Sequence, residues 1–162
     1  MKRSTKYGLV IATIITAMMG SIAVKAITFD EPIDFKKEEL YCLAQNIYFE
    51  ARGESRLGQM AVAWVTLNRV EDKNYPDTIC DVVWEKNQFS WTNDGKSDKP
   101  VDMMAWAEAL SIAWEVYTIH DSQVDPTDGS IMFHTVNKKP YWKKEYLVTS
   151  RIDNHIFYKV RS

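Results

Sequence analysis

The sequence predicts an α+β domain that is mainly helical, with a small β-hairpin or sheet built from its C-terminal third. Two observations carry this. Apolar residues recur at helical spacing in residues 40–51, again from Ser55 to about Val70, and from Met103 to Tyr117. The segments Ser130 to Thr135, Tyr146 to Ile152 and His155 to Val160 instead mix β-branched and aromatic residues, as short strands do. A third observation sets the scale: 162 residues, with no Pro/Gly/Ser-rich linker and no internal repeat, fit a single core.

Taken in order, Lys2, Arg3 and Lys6 precede an uncharged stretch from Tyr7 to Val24, and Val24-Lys25-Ala26 offers small residues where a signal peptidase reads. Residues 1–26 are therefore expected to be an export signal. Thr13, Thr16, Gly20 and Ser21 interrupt the stretch, which makes a permanent span of roughly 20 apolar residues the weaker alternative. Any membrane contact would run through this segment if it stays uncleaved. Residues 27–37 read as a lead-in with Asp34 as a helix N-cap, and residues 38–162 as the functional domain.

Charge and cysteines follow from that compartment. Residues 1–26 hold four of the 20 basic side chains and none of the 22 acidic ones, so the exported remainder carries a net charge near −6. No basic tract is left to neutralise a run of phosphates, which excludes nucleic acid as an expected partner. Two cysteines in an exported chain predict a Cys42–Cys80 disulfide.

Leu40, Leu43, Ala44, Ile47, Tyr48 and Ala51 mark a first helix ending near Gly53. Ser55 is the expected N-cap of a second, with Leu57, Met60, Ala61, Trp64 and Val65 on one face. Asn74-Tyr75-Pro76-Asp77 is a turn, Ile79 to Lys86 a short helix, and Asn87 to Pro100 a polar surface loop able to carry binding residues. Met103, Ala107, Leu110, Trp114 and Tyr117 are expected to face the core from a third long helix.

Glu50 borders the apolar stripe of the first helix. Partial desolvation there disfavours the carboxylate, so a raised pKa is expected, and a carboxylic acid still protonated near neutrality can donate to a leaving sugar oxygen. Spacing alone equally allows a solvated or salt-bridged Glu beside Arg52 or Arg56.

The motifs narrow this. Leu43-Ala44-Gln45-Asn46-Ile47-Tyr48-Phe49-Glu50-Ala51-Arg52-Gly53-Glu54, Gly58-Gln59-Met60-Ala61-Val62-Ala63, Leu67-Asn68-Arg69-Val70, Tyr75-Pro76-Asp77-Thr78-Ile79-Cys80, Gln88-Phe89-Ser90, Asp125-Pro126-Thr127, Phe133-His134 and Asn154-His155-Ile156-Phe157-Tyr158 stand in this order. Together they resemble the catalytic domain of the SleB/CwlJ family of cell-wall hydrolases. The resemblance implies a lysozyme-like domain that cuts peptidoglycan glycan strands between N-acetylmuramic acid and N-acetylglucosamine, as a monomer, without metal or cofactor. It implies Glu50 as general acid and base, in the manner of lytic transglycosylases, which leave a 1,6-anhydro end and need one carboxylate. Tyr48, Gln88, Phe89, Ser90 and His134 are the expected substrate-binding residues. Trp91, Phe133 and Trp142 are candidates for stacking on sugars, with core packing as the competing reading.

Glu54, four residues from Glu50, cannot easily face it across a sugar ring, whereas Asp94 or Asp98 in the loop would leave hydrolysis open. His155 is expected to be structural, and Asn68 a satisfied polar residue bracing the helix pair. His120, His134 and His155 lack the paired spacing of a zinc peptidase, and a disulfide removes the thiols a cysteine amidase would use. A non-catalytic sugar-binding module is the alternative from another class.

Overall fold

The computed structural model describes residues 35–161. The expected export signal, Asp34 as N-cap and the first part of the lead-in lie outside the described residues. The first helix, α1 (Phe35–Ala51), already begins within the expected lead-in and stops one turn before Ser55. Ser55 caps α2 (Arg56–Glu71) as its spacing predicts, its side chain accepting from the Gly58 N–H at 3.2 Å. Helix α3 (Ile79–Trp84) is capped by Thr78, and the buried Glu39 of α1 also accepts from its first N–H, on Ile79, at 2.5 Å.

Helix α2 is enclosed almost all round rather than on one face. Every residue from Ala61 to Leu67 is buried, because α1, α3, α4 and the sheet surround it. Leu57, expected on its apolar face, is 50% exposed, one turn outside that enclosure.

Helix α4 (Met103–Ile119) runs antiparallel to α1, with Tyr41 packed edge-on against Trp106 and Lys36 over the rings of Trp114 and Tyr117. Its core face is Ala109, Ile112, Ala113 and Val116, whereas Met103, Ala107, Leu110 and Trp114 of the expected stripe face outward. The reason is packing distance: apolar residues occupy several faces of α4, and the two alanines let α1 approach closely where Leu110 and Trp114 would hold it off. Among the described residues, no helix is long and apolar enough to cross a membrane.

The expected strands form one antiparallel sheet in the order β1 (Met132–Thr135), β3 (His155–Val160), β2 (Tyr146–Ile152), with an irregularity between Val148 and Ser150. The central strand is buried from His155 to Tyr158, and Phe157 packs with Ala61 and Val65 of α2. The β2–β3 turn docks on the α1–α2 corner. Glu54 accepts from the backbone N–H and side-chain amide of Asn154, at 3.1 and 3.2 Å, while Asp153 accepts from the N–H and hydroxyl of Ser55, at 2.9 and 2.6 Å. Gly58 makes this approach possible, since a Cβ there would overlap the Asp153 carboxylate. The disulfide between Cys42 and Cys80 ties α1 to α3.

Candidate active site

A cleft enclosing about 540 Å³ opens between the end of α1, the loop after α3 and the sheet. Glu50 enters it from the last turn of α1, and no other carboxylate is found among the described residues that line it. Burial raises its pKa from 4.5 to about 7, against the opposing pull of Arg69. The carboxyl group is therefore largely protonated below neutrality, as the border position on α1 predicts.

Arg69 was not singled out from sequence as a site residue. It is buried to 4% exposure in the last turn of α2, its Nε donating to the Ile131 carbonyl at 2.8 Å. Its guanidinium lies over the rings of Phe89 and Tyr75, 5.0 and 5.5 Å from their centroids. Nη1 is enclosed without a hydrogen-bond partner. The signal was present: Arg69 follows Ala61 and Val65 at four-residue steps, so a cation had to share their buried face.

The loop after α3 supplies the other wall. Asn87 takes a left-handed φ of 67°, which asparagine tolerates, and this turns Gln88, Phe89 and Ser90 toward the cleft. The Gln88 amide N–H donates to Glu85 at 2.7 Å, leaving its carbonyl oxygen without a partner, while Ser90 is exposed. Phe89 is 3% exposed and serves mainly as the lid over Arg69.

From the sheet, His134 lines the cleft with both ring nitrogens engaged. The Thr135 carbonyl accepts from Nδ1–H at 2.7 Å, and Nε2 shares a hydrogen bond with the Tyr158 hydroxyl at 2.8 Å. Trp142 lies edge-on to that ring, with centroids 5.8 Å apart, and also lines the cleft, as does Phe133. His155 is buried against Phe133, and burial holds its pKa below the usual histidine value. It lines the cleft too, with Nδ1 enclosed and unpartnered.

Tyr48 does not belong to this group. It is 0% exposed, and its hydroxyl accepts from the N–H groups of Val101 and Asp102, at 3.2 and 3.0 Å, which anchors the start of α4. Residues 48 and 50 lie 200° apart on a helix, so with Glu50 in the cleft Tyr48 has to point into the core. Trp91 is likewise buried, stacked on Phe49 and donating from its indole N–H to Asn46 at 3.2 Å. Asp94 and Asp98 do not face Glu50; they line a separate, neighbouring pocket. Asn68 braces the loop before β1 rather than the helix pair, donating to Asp125 at 2.8 Å and to the Ser130 carbonyl at 3.0 Å. Glu71, His120 and Asp121 bring possible metal-ligand atoms within 4.8 Å of one another, but none of them lines the cleft.

The site is thus an acidic group in an aromatic-walled cleft, on a helical domain with a small antiparallel sheet. The chain belongs to the Cell Wall Hydrolase family, whose model matches residues 53–158. Among curated relatives, the spore cortex-lytic enzymes of Bacillus cereus and Halalkalibacterium halodurans are 29% and 30% identical, over 79% and 78% of this chain and 47% and 36% of their own. The chain thus spans half or less of the length of these relatives. Its fold matches the catalytic domain of the Bacillus cereus SleB protein, with a TM-score of 0.61 and 28% identity, over 79% of this chain and 94% of that one. It also matches the catalytic domain of the germination-specific lytic transglycosylase SleB from Bacillus anthracis, with a TM-score of 0.64 and 28% identity, over 79% and 99%.

Proposed function

We propose that the chain is a peptidoglycan lytic transglycosylase in which Glu50 is the single acid and base. The observation that carries this is Glu50 itself: the one carboxyl among the described residues that line the cleft, raised by burial to a pKa of about 7. The family match begins at Gly53, just past this residue, so the case for Glu50 stands on its geometry and on its motif. The naming of the Bacillus anthracis relative as a lytic transglycosylase supports the reaction, and the name spore cortex-lytic enzyme makes cortex peptidoglycan the first wall to assay.

Glu50, protonated at rest, donates its proton to the glycosidic oxygen, and the C1–O bond of the muramoyl residue breaks, freeing the C4 hydroxyl of N-acetylglucosamine. The resulting carboxylate removes the proton from the muramoyl C6 hydroxyl as that oxygen bonds to C1. Glu50 is protonated again, a 1,6-anhydro ring is formed and no water is consumed. Arg69 stands close enough to favour the carboxylate during the half of the cycle in which it is ionised. Gln88 and Ser90 hold the sugars by hydrogen bonds, with His134 and Trp142 as ring surfaces against them. Residues 38–162 form the catalytic domain of an exported protein, directed outward by residues 1–26, and the disulfide suits an oxidising compartment.

The test is mass spectrometry of fragments released from purified cortex and vegetative sacculi. Muropeptides with 1,6-anhydro ends are expected from the wild type and none from Glu50→Gln. Reducing ends would replace transglycosylation by hydrolysis, and release that survives Glu50→Gln would remove Glu50 from the mechanism. Wall binding without release by the wild type would favour a binding module.

A further inference from the structure

We propose that the pocket beside the catalytic cleft is a subsite for the peptide stem carried by the muramoyl residue at the scissile bond. This rests on the glycosidase reading above and extends it to the substituent of the sugar. The pocket encloses about 370 Å³ and shares Ser90 with the cleft, so the two are contiguous. Its wall on the α1 side is Phe49, next in sequence to Glu50, and Arg52.

Reaction geometry brings the stem close to this pocket. Cleavage on the C1 side of N-acetylmuramic acid puts that sugar directly against Glu50 in every productive complex, and its lactyl ether leaves the ring at C3, within one sugar's width of the broken bond. A contiguous pocket across the Ser90 ridge is a place for that group to go.

The charges in the pocket fit a peptide better than a neutral sugar. Asp94 and Lys96 satisfy one another, through an ion pair at 3.3 Å and a backbone N–H bond at 2.9 Å. Arg52 and Asp98 do not. Among the described residues neither joins an ion pair, although both line the pocket. The Arg52 guanidinium lies 4.8 Å over the ring centroid of the buried Tyr48, and the Asp98 backbone is held where its carbonyl accepts from Gln45 at 3.0 Å. A cation and an anion, neither in an ion pair among the described residues, match a stem that bears free carboxylates and, where its third residue is a diamino acid, an ammonium group.

Two glycan preparations test this: sacculi digested to stem-bearing chains, and the same chains stripped by an amidase. The readout is the ratio of kcat/KM on the two, measured within each protein. The wild type is expected to favour stem-bearing chains, and Arg52→Gln to reduce that ratio by about tenfold, the worth of one charge-assisted contact. A wild-type ratio near one, or a ratio unchanged by Arg52→Gln, overturns the subsite. Failure of the wild type to cut either preparation instead sinks the glycosidase reading. A second measurement needs no variant: titration of the wild type with a muramoyl tetrapeptide should shift the Trp91 indole and Arg52 side-chain NMR signals. Absence of any shift at millimolar peptide counts against the proposal.

Discussion

At the scale of single residues, the decisive quantity is the proton on Glu50. Its value of about 7, against an ordinary 4.5, means the folded chain holds a proton there that the unfolded chain has released. Between those two values the native state binds more protons, so stability falls as pH rises, by on the order of 3 kcal/mol in total, and levels off above the folded value. Glu50→Gln removes this slope. Its melting temperature is expected to exceed that of the wild type at pH 8 by more than at pH 5, and equal pH profiles would show that Glu50 does not carry the shift. Catalysis by the acid form should likewise decline as pH rises through about 7. Arg69 opposes the shift, so Arg69→Gln should push the Glu50 pKa higher still, while Arg69→Lys should leave it close to wild type; carbon-detected titration of the Glu50 carboxyl reads both directly. The border position of Glu50 and its raised pKa were legible in the sequence, because helical spacing sets which residues are partly desolvated. For Arg69 spacing marks the buried face but not the role, because its closeness to Glu50 and the cover of Phe89 and Tyr75 come from tertiary packing that periodicity cannot show.

Between elements, what fixes the cleft is the docking of the β2–β3 turn on the α1–α2 corner. Glu54 belongs to the same short motif as Glu50 but works on the hairpin, through Asn154, and this puts His155, the next residue, into the cleft wall. The separate elements could be read from sequence, and Tyr146–Ile152 and His155–Val160 match their expected bounds, because alternation and β-branching are local. Their docking could not, since it joins residues about 100 apart in the chain. The same limit explains the outward face of α4: spacing shows that apolar faces exist, and only the neighbour decides which is covered, whereas the burial of Tyr48 follows from its place on the α1 stripe. Gly58→Ala is expected to force Asp153 away from Ser55 and to cost about 1–3 kcal/mol, with loss of activity exceeding loss of fold. Glu54→Gln, which keeps the shape and weakens only the charge-assisted bonds, should cost about 1 kcal/mol. Thermal melts with near-ultraviolet circular dichroism distinguish the two, and a silent Gly58→Ala would show that the turn can be seated elsewhere.

Across the whole molecule, the disulfide belongs to the helical core and not to the lining of the cleft. Cys42 and Cys80 join α1 to α3 across a 38-residue separation that includes Glu50 and all of α2, while the loop after α3 and the sheet lie outside the pair. Closing a loop of that length removes unfolded-state freedom worth about 4 kcal/mol on the chain-entropy account. That is a large share of the roughly 5–15 kcal/mol a domain of this size holds. Both sulfurs sit at the edge of the core cluster built on Leu43, Ile47 and Val83, which would persist without the bond. The double variant Cys42→Ala/Cys80→Ala is therefore expected to melt substantially lower and to unfold at lower urea. At 25 °C it should keep the raised Glu50 pKa and most of its muropeptide release, because neither cysteine lines the cleft, and of the lining residues only Glu50 and Arg69 fall within the bridged loop, on helices that the core cluster also holds. Urea titration paired with a release assay on the same samples checks this: loss of activity well below the unfolding midpoint would mean that the bridge holds the cleft itself.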